Sequence, residues 1–156
     1  MPAPGEPPQC SVVGIEGGRP KSVPVPGALA SAGIAFSPDG ESEAYPTADR
    51  HITIVPIAGG SSRALPNFAL EPDEFLIGWS GDGRFLLVQT SYEIPARVSR
   101  VDVETGQRTL WKQVQPSDRA GVITIYPVRF TADGTGYAYT YIRGVSDDLY
   151  LVEGLK

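Results

Sequence analysis

The stretch closest to covalent chemistry is Gly78-Trp79-Ser80-Gly81-Asp82-Gly83. It approaches the Gly-x-Ser-x-Gly turn that lifts a serine hydroxyl out of a strand end, where a histidine takes its proton and a carboxylate orients the histidine. Three features oppose that reading. The fifth position is Asp82 instead of glycine, Ser80 precedes a strand-like run instead of a helix, and the only histidine, His51, comes before the serine where that elbow takes it after. His51 opens an apolar run beside Asp49 and Arg50, the setting of a solvated hairpin histidine, and no carboxylate or cysteine stands at metal-ligand spacing from it. Cys10 is the single cysteine, so neither an internal disulfide nor a zinc ligand set is available. Asp147-Asp148 reads as turn capping, because no Asp-x-Asp-x-Asp-Gly calcium loop surrounds it. Phosphoryl transfer is equally unsupported, since the Gly-rich loop, His-Arg-Asp and Asp-Phe-Gly elements that hold ATP and magnesium are missing. The expectation is a chain without catalytic residues, cofactor or metal.

Ser80 has a better explanation in a repeat. Ile34-Ala35-Phe36-Ser37-Pro38-Asp39-Gly40, Ile77-Gly78-Trp79-Ser80-Gly81-Asp82-Gly83 and Val128-Arg129-Phe130-Thr131-Ala132-Asp133-Gly134 each run from an apolar strand through an aromatic residue into an Asp-Gly turn. Asp bonds backbone two residues on, and Gly takes the positive φ that closes a hairpin without a Cβ clash. Asp39, Gly40, Asp82, Gly83, Asp133 and Gly134 are thus predicted turn-formers.

A second strand follows each turn, in Glu43-Ala44-Tyr45, Phe85 to Val88 and Tyr137 to Tyr141, with apolar residues at both parities in the last two, so both faces should be buried. Third strands are expected at Ile52–Ile57, Val98–Val103 and Leu149–Val152, with an early copy at Ser11–Ile15. Outer strands are expected at Ser62–Leu65, Gln107–Trp111 and Lys21–Val25, where Pro24 is tolerable because an outermost edge has no partner for the missing N–H. Tyr137, Tyr139 and Tyr141 share one strand face, expected to pack between sheets with an aromatic recognition strip as the alternative, and Val122–Tyr126 reads as a long inner strand or an adhesive edge. The Asp-Gly turns fall 43 and 51 residues apart, the period of four-stranded β-propeller blades, and the polar stretch 115–121 accounts for the longer interval.

The predicted fold class is therefore all-β, built of antiparallel four-stranded propeller blades, about three and a half of them, which is half of a larger ring. The expected divisions are a Pro-rich tail over 1–9, a partial blade of two strands over 10–27, blades over 28–68 and 69–115, and a three-stranded last blade over 116–156. Composition agrees. Gly and Pro number 18 and 15 and recur between short apolar runs, as in a turn-rich β protein. A net charge of −5 without basic clusters argues against nucleic acid, and no apolar stretch is long enough for a membrane-spanning helix, so no direct insertion is expected. The first nine residues lack the basic and apolar regions of a signal peptide.

The Phe/Trp-Ser-Pro/Gly-Asp-Gly repeat resembles the blades of TolB-type, WD-like propellers. The run from Val101 to Gly106, with Trp111, Thr131 to Gly134, Tyr137 to Tyr139 and Leu149 to Leu155, is similar to propeller regions that acidobacteria carry behind a serine/threonine-kinase domain. The resemblance implies a bacterial, noncatalytic sensory or interaction module without cofactors, binding a protein or peptide. It is compatible with a place across a membrane from the kinase. The hairpin residues Asp49, Arg50, Tyr92, Glu93, Arg143 and Asp147 are the candidate contacts. Two alternatives stand beside it: the gating propeller of a serine hydrolase separated from its catalytic domain, and a structural half-ring completed by a second copy.

Overall fold

The computed structural model describes residues 9–144, so the expected strand at Leu149–Val152 and the candidate contact Asp147 lie outside the described residues. Every sheet is antiparallel. Strands β1 (Gln9–Val12) and β2 (Lys21–Pro24) form a two-stranded sheet. A four-stranded sheet follows, with β3 (Ala35–Phe36), β4 (Ser42–Pro46), β5 (His51–Pro56) and β6 (Arg63–Ala69) side by side in chain order. The same meander recurs as β7 (Glu74–Trp79), β8 (Phe85–Thr90), β9 (Ala96–Asp102) and β10 (Arg108–Val114). A final pair, β11 (Val122–Phe130) and β12 (Tyr137–Arg143), closes the described chain. The run Val122–Tyr126 is thus the first part of a long strand, with register shifts after Val122 and after Tyr126.

The four sheets stack face to face in chain order, and the alternation of side chains explains how. In β4, Ala44 faces forward into a core shared with Leu76, Leu86, Val88 and Val101 of the next sheet, whereas Tyr45 faces back and packs with Val25 and Cys10. In β8, Leu86 and Val88 face back and Leu87 faces forward, where Ile125 and Val128 of β11 meet it. A strand sandwiched between two sheets has no wet face, which is why β8 is buried from Leu86 to Thr90. Strand β12 departs from this expectation. Its backward face carries the three tyrosines, with Tyr139 packed against the preceding sheet, but no described sheet covers its forward face and Ile142 is 57% exposed.

Two features hold neighbouring sheets at close range. Trp79 donates its indole N–H to the carbonyl of Ala35 at 3.1 Å. Gly81 brings one Asp-Gly turn so near the next that a Cβ there would lie 1.8 Å from the Ala132 carbonyl oxygen.

Candidate functional site

Three hairpins share one set of hydrogen bonds. Ser37, Ser80 and Thr131 each donate a hydroxyl to the carboxylate two residues on, Asp39, Asp82 and Asp133, at 2.5 Å in every case. Each hydroxyl also accepts a backbone N–H from across the hairpin, Ser42, Phe85 and Gly136, at 2.9 Å. Gly40, Gly83 and Gly134 take φ near +70° to close the turn. The hydroxyl bond holds all three carboxyls below the usual aspartate range, with a backbone N–H adding to it, and Asp133 reaches about 2. Ser80 is therefore committed to Asp82 and the Phe85 N–H, while the His51 ring sits by the Phe68 carbonyl, Nδ1 to oxygen 3.1 Å.

A fourth lock of this kind starts at Thr47. Its hydroxyl donates to Asp49 at 2.5 Å, which lowers that carboxyl, and Arg50 stands in the glycine's place with φ of 67°. Left-handed backbone is costly for a side chain with a Cβ, so it survives only where surrounding bonds fix it. Here the Arg50 carbonyl accepts the Leu70 N–H at 3.0 Å and its guanidinium donates to the Glu71 carbonyl at 2.9 Å. Tyr92, in the equivalent hairpin of the next sheet, is also left-handed, with φ of 56°, and 78% exposed.

Arg50 and Tyr92 line one cavity of about 200 Å³, to which Leu29, Phe75, Ser91 and Tyr126 also contribute. Three successive sheets thus meet there: the first four-stranded sheet and its lead-in bring Arg50 and Leu29, the second brings Phe75, Ser91 and Tyr92, and the last brings Tyr126. Phe75 and Tyr126 pack with ring centroids 5.5 Å apart. Glu74, beside them, is tied to Arg108 through both oxygens at 2.9 and 2.8 Å and accepts the Glu71 N–H. The polar groups of this wall are held before any ligand arrives, and the aromatic rings offer area at small entropic cost.

No protein-family model and no curated protein matches the chain.

Of the candidate contacts among the described residues, the structure brings Arg50 and Tyr92 together at one cavity and leaves Asp49, Glu93 and Arg143 out of it. Asp49 serves its own turn. Glu93 pairs with Arg97 at 2.9 Å, and Arg143 pairs with Asp118 at 3.1 Å, which ties β12 to the loop before β11. Both pairs are solvent-exposed and contribute about 0–1 kcal/mol. Sequence reasoning missed Phe75 and Tyr126. Phe75 sits in an ordinary apolar strand, and Tyr126 meets it only across two sheets, next to a register slip that the sequence does not announce.

A second cluster lies between the N-terminal pair and the first four-stranded sheet. Glu43 is wholly buried, and neither carboxylate oxygen meets a hydrogen-bond partner; the Tyr45 hydroxyl is likewise buried and unpaired. Burial pushes the Glu43 carboxyl up, opposed by the nearby Cys10 thiol. The thiol in turn is pushed up to about 11, chiefly by its own burial and next by Glu43, so it is an unreactive thiol at neutral pH.

Proposed function

We propose that this chain is a run of β-propeller blades that recognises a protein or peptide through the cavity bearing Arg50 and Tyr92. The convergence of three consecutive sheets on that one cavity carries the reading, because stacked sheets are rigid supports and the loops at their ends are free to specialise. Chain-order stacking of four-stranded meanders supports the propeller architecture, in which such a cavity lies near the mouth of the ring. The repeat's likeness to kinase-associated propellers supports a noncatalytic sensory or interaction role in a bacterial signalling protein. A peptide side chain of aromatic or aliphatic character would fit against Phe75, Tyr92 and Tyr126.

The test is selection of a random-peptide phage library on the wild-type protein. Enriched peptides should lose at least tenfold in affinity on Tyr92→Ala, with the melting temperature unchanged. Enriched peptides indifferent to Tyr92→Ala and Phe75→Ala, or no enrichment at all, would overturn the reading.

The forward face of β12, which no described sheet covers, favours a second reading, assembly of two copies into a ring. Ala138, Thr140 and Ile142 stand on that face, where every earlier sheet has a neighbour. Sedimentation equilibrium decides it: a monomer at high concentration excludes the paired ring.

A further inference from the structure

Arg100 stands where the repeat places an apolar residue. It lies opposite Leu87, as Ile54 lies opposite Ala44 one sheet earlier, and each of those partners is two residues past the hairpin's closing pair. Ile54 is buried in the core between the two four-stranded sheets. The fold therefore does not require a cation at this position. Arg100 instead enters the matching space between the second four-stranded sheet and β11–β12, a cavity of about 280 Å³ walled by Trp79, Leu87, Trp111 and Phe130.

Aromatic rings pack against the guanidinium there, and the nearby Asp82 carboxylate attracts it without forming an ion pair. The guanidinium carbon sits 3.9 Å over the Trp111 ring and 5.6 Å from the Phe85 ring, while Nε is buried with no hydrogen-bond acceptor among the described residues. None of the ion pairs among the described residues uses Arg100. The preceding cleft supplies the contrast: Arg63 crosses it to donate to the Val103 carbonyl at 2.8 Å and to Glu104 at 3.1 Å. Asp82 and Asp133 also line the Arg100 cavity, but each is committed to its own turn. Two flanking negative charges tolerate one more beside a guanidinium better than they tolerate two.

We infer that this cavity is a recognition site for a single carboxylate, the Glu or Asp side chain of a peptide or protein partner, with Arg100 as the anchoring donor. A planar guanidinium stacked on Trp111 is already oriented, so the carboxylate meets donors that the described residues leave open. The site stands apart from the Arg50–Tyr92 cavity, since Asp82 precedes β8 and Tyr92 follows it.

The arginine side-chain Nε–Hε resonances report this directly, with Arg100 assigned from its loss in Arg100→Ile, the residue that Ile54 shows the fold accepts. Titration with the blocked tripeptide Gly-Glu-Gly at constant ionic strength should shift the Arg100 signal saturably. Gly-Gln-Gly and inorganic phosphate should leave it in place, and Tyr92→Ala should not alter the response. No shift with the Glu peptide, or an equal shift with the Gln peptide or phosphate, overturns the assignment. Glu153, outside the described residues, holds the sequence place of Glu104 one unit later. A response seen only in Glu153→Gln would make the carboxylate the chain's own and overturn it too.

Discussion

The buried carboxamide of Gln89 accepts the backbone N–H of Val128 at 2.8 Å and donates to the Ile125 carbonyl at 2.8 Å. The β11 register slips between Tyr126 and Arg129, so Val128 has no partner residue in the β11–β12 ladder, and a side chain from the neighbouring sheet bonds its N–H and ties it to the Ile125 carbonyl. Gln89→Met keeps the length and removes both bonds. It should destabilise the fold by on the order of 1–3 kcal/mol, read as a lower urea midpoint with an unchanged slope. An unchanged midpoint would mean that the bulge is satisfied in another way.

Glu43→Leu should have the opposite sign. Leu86 occupies the equivalent place in the next sheet, opposite Val101 as Glu43 is opposite Val55, so leucine suits the site. Removing an unpaired buried carboxyl should stabilise the protein by about 1–3 kcal/mol at neutral pH. The pH dependence follows from the raised folded-state pKa. Above the ordinary value of 4.5 the unfolded chain loses this proton while the folded chain keeps it, so wild-type stability falls as pH rises from there toward the folded value. The gap between variant and wild type should therefore widen from pH 4 to pH 7. A constant gap would rule out burial of the acid as its cause.

Asp133 carries the reverse linkage. Its carboxyl, held at about 2 by the Thr131 hydroxyl and then by the Thr135 N–H, contributes fully above the ordinary value of 3.8, and the contribution is lost as pH falls toward 2. Carboxyl NMR titration should place its midpoint near 2 in the wild type and markedly higher in Thr131→Val. Equal midpoints in the two proteins would show that the hydroxyl is not the cause.

Much of the architecture was legible in the chain. The three Asp-Gly hairpins, the order of strands within each sheet and the burial of both faces of β8 all follow from local chemistry: a hydroxyl two residues before an aspartate, a residue able to take positive φ, and apolar groups at both parities. The same logic reassigned Ser80 from nucleophile to turn, and its hydrogen bonds agree. Some local detail was already beyond reach. Sequence could not say that Arg50 would accept the left-handed backbone that glycine takes in the other hairpins, because only its bonds to Glu71 and Leu70 make that strain tolerable.

What the sequence by itself determined is the unit: a hairpin-locked antiparallel sheet, repeated. Tertiary structure alone decided which side chains from different units meet. Tyr126 meets Phe75 across two sheets beside a register slip, Arg100 lies on Trp111 in a cleft where its counterpart is isoleucine, and Glu43 ends up sealed without a hydrogen-bond partner among the described residues. Hairpin chemistry acts within a few residues and can be read locally. Contacts between stacked sheets depend on register, bulges and the spacing of two backbones, none of which any single unit of the repeat encodes.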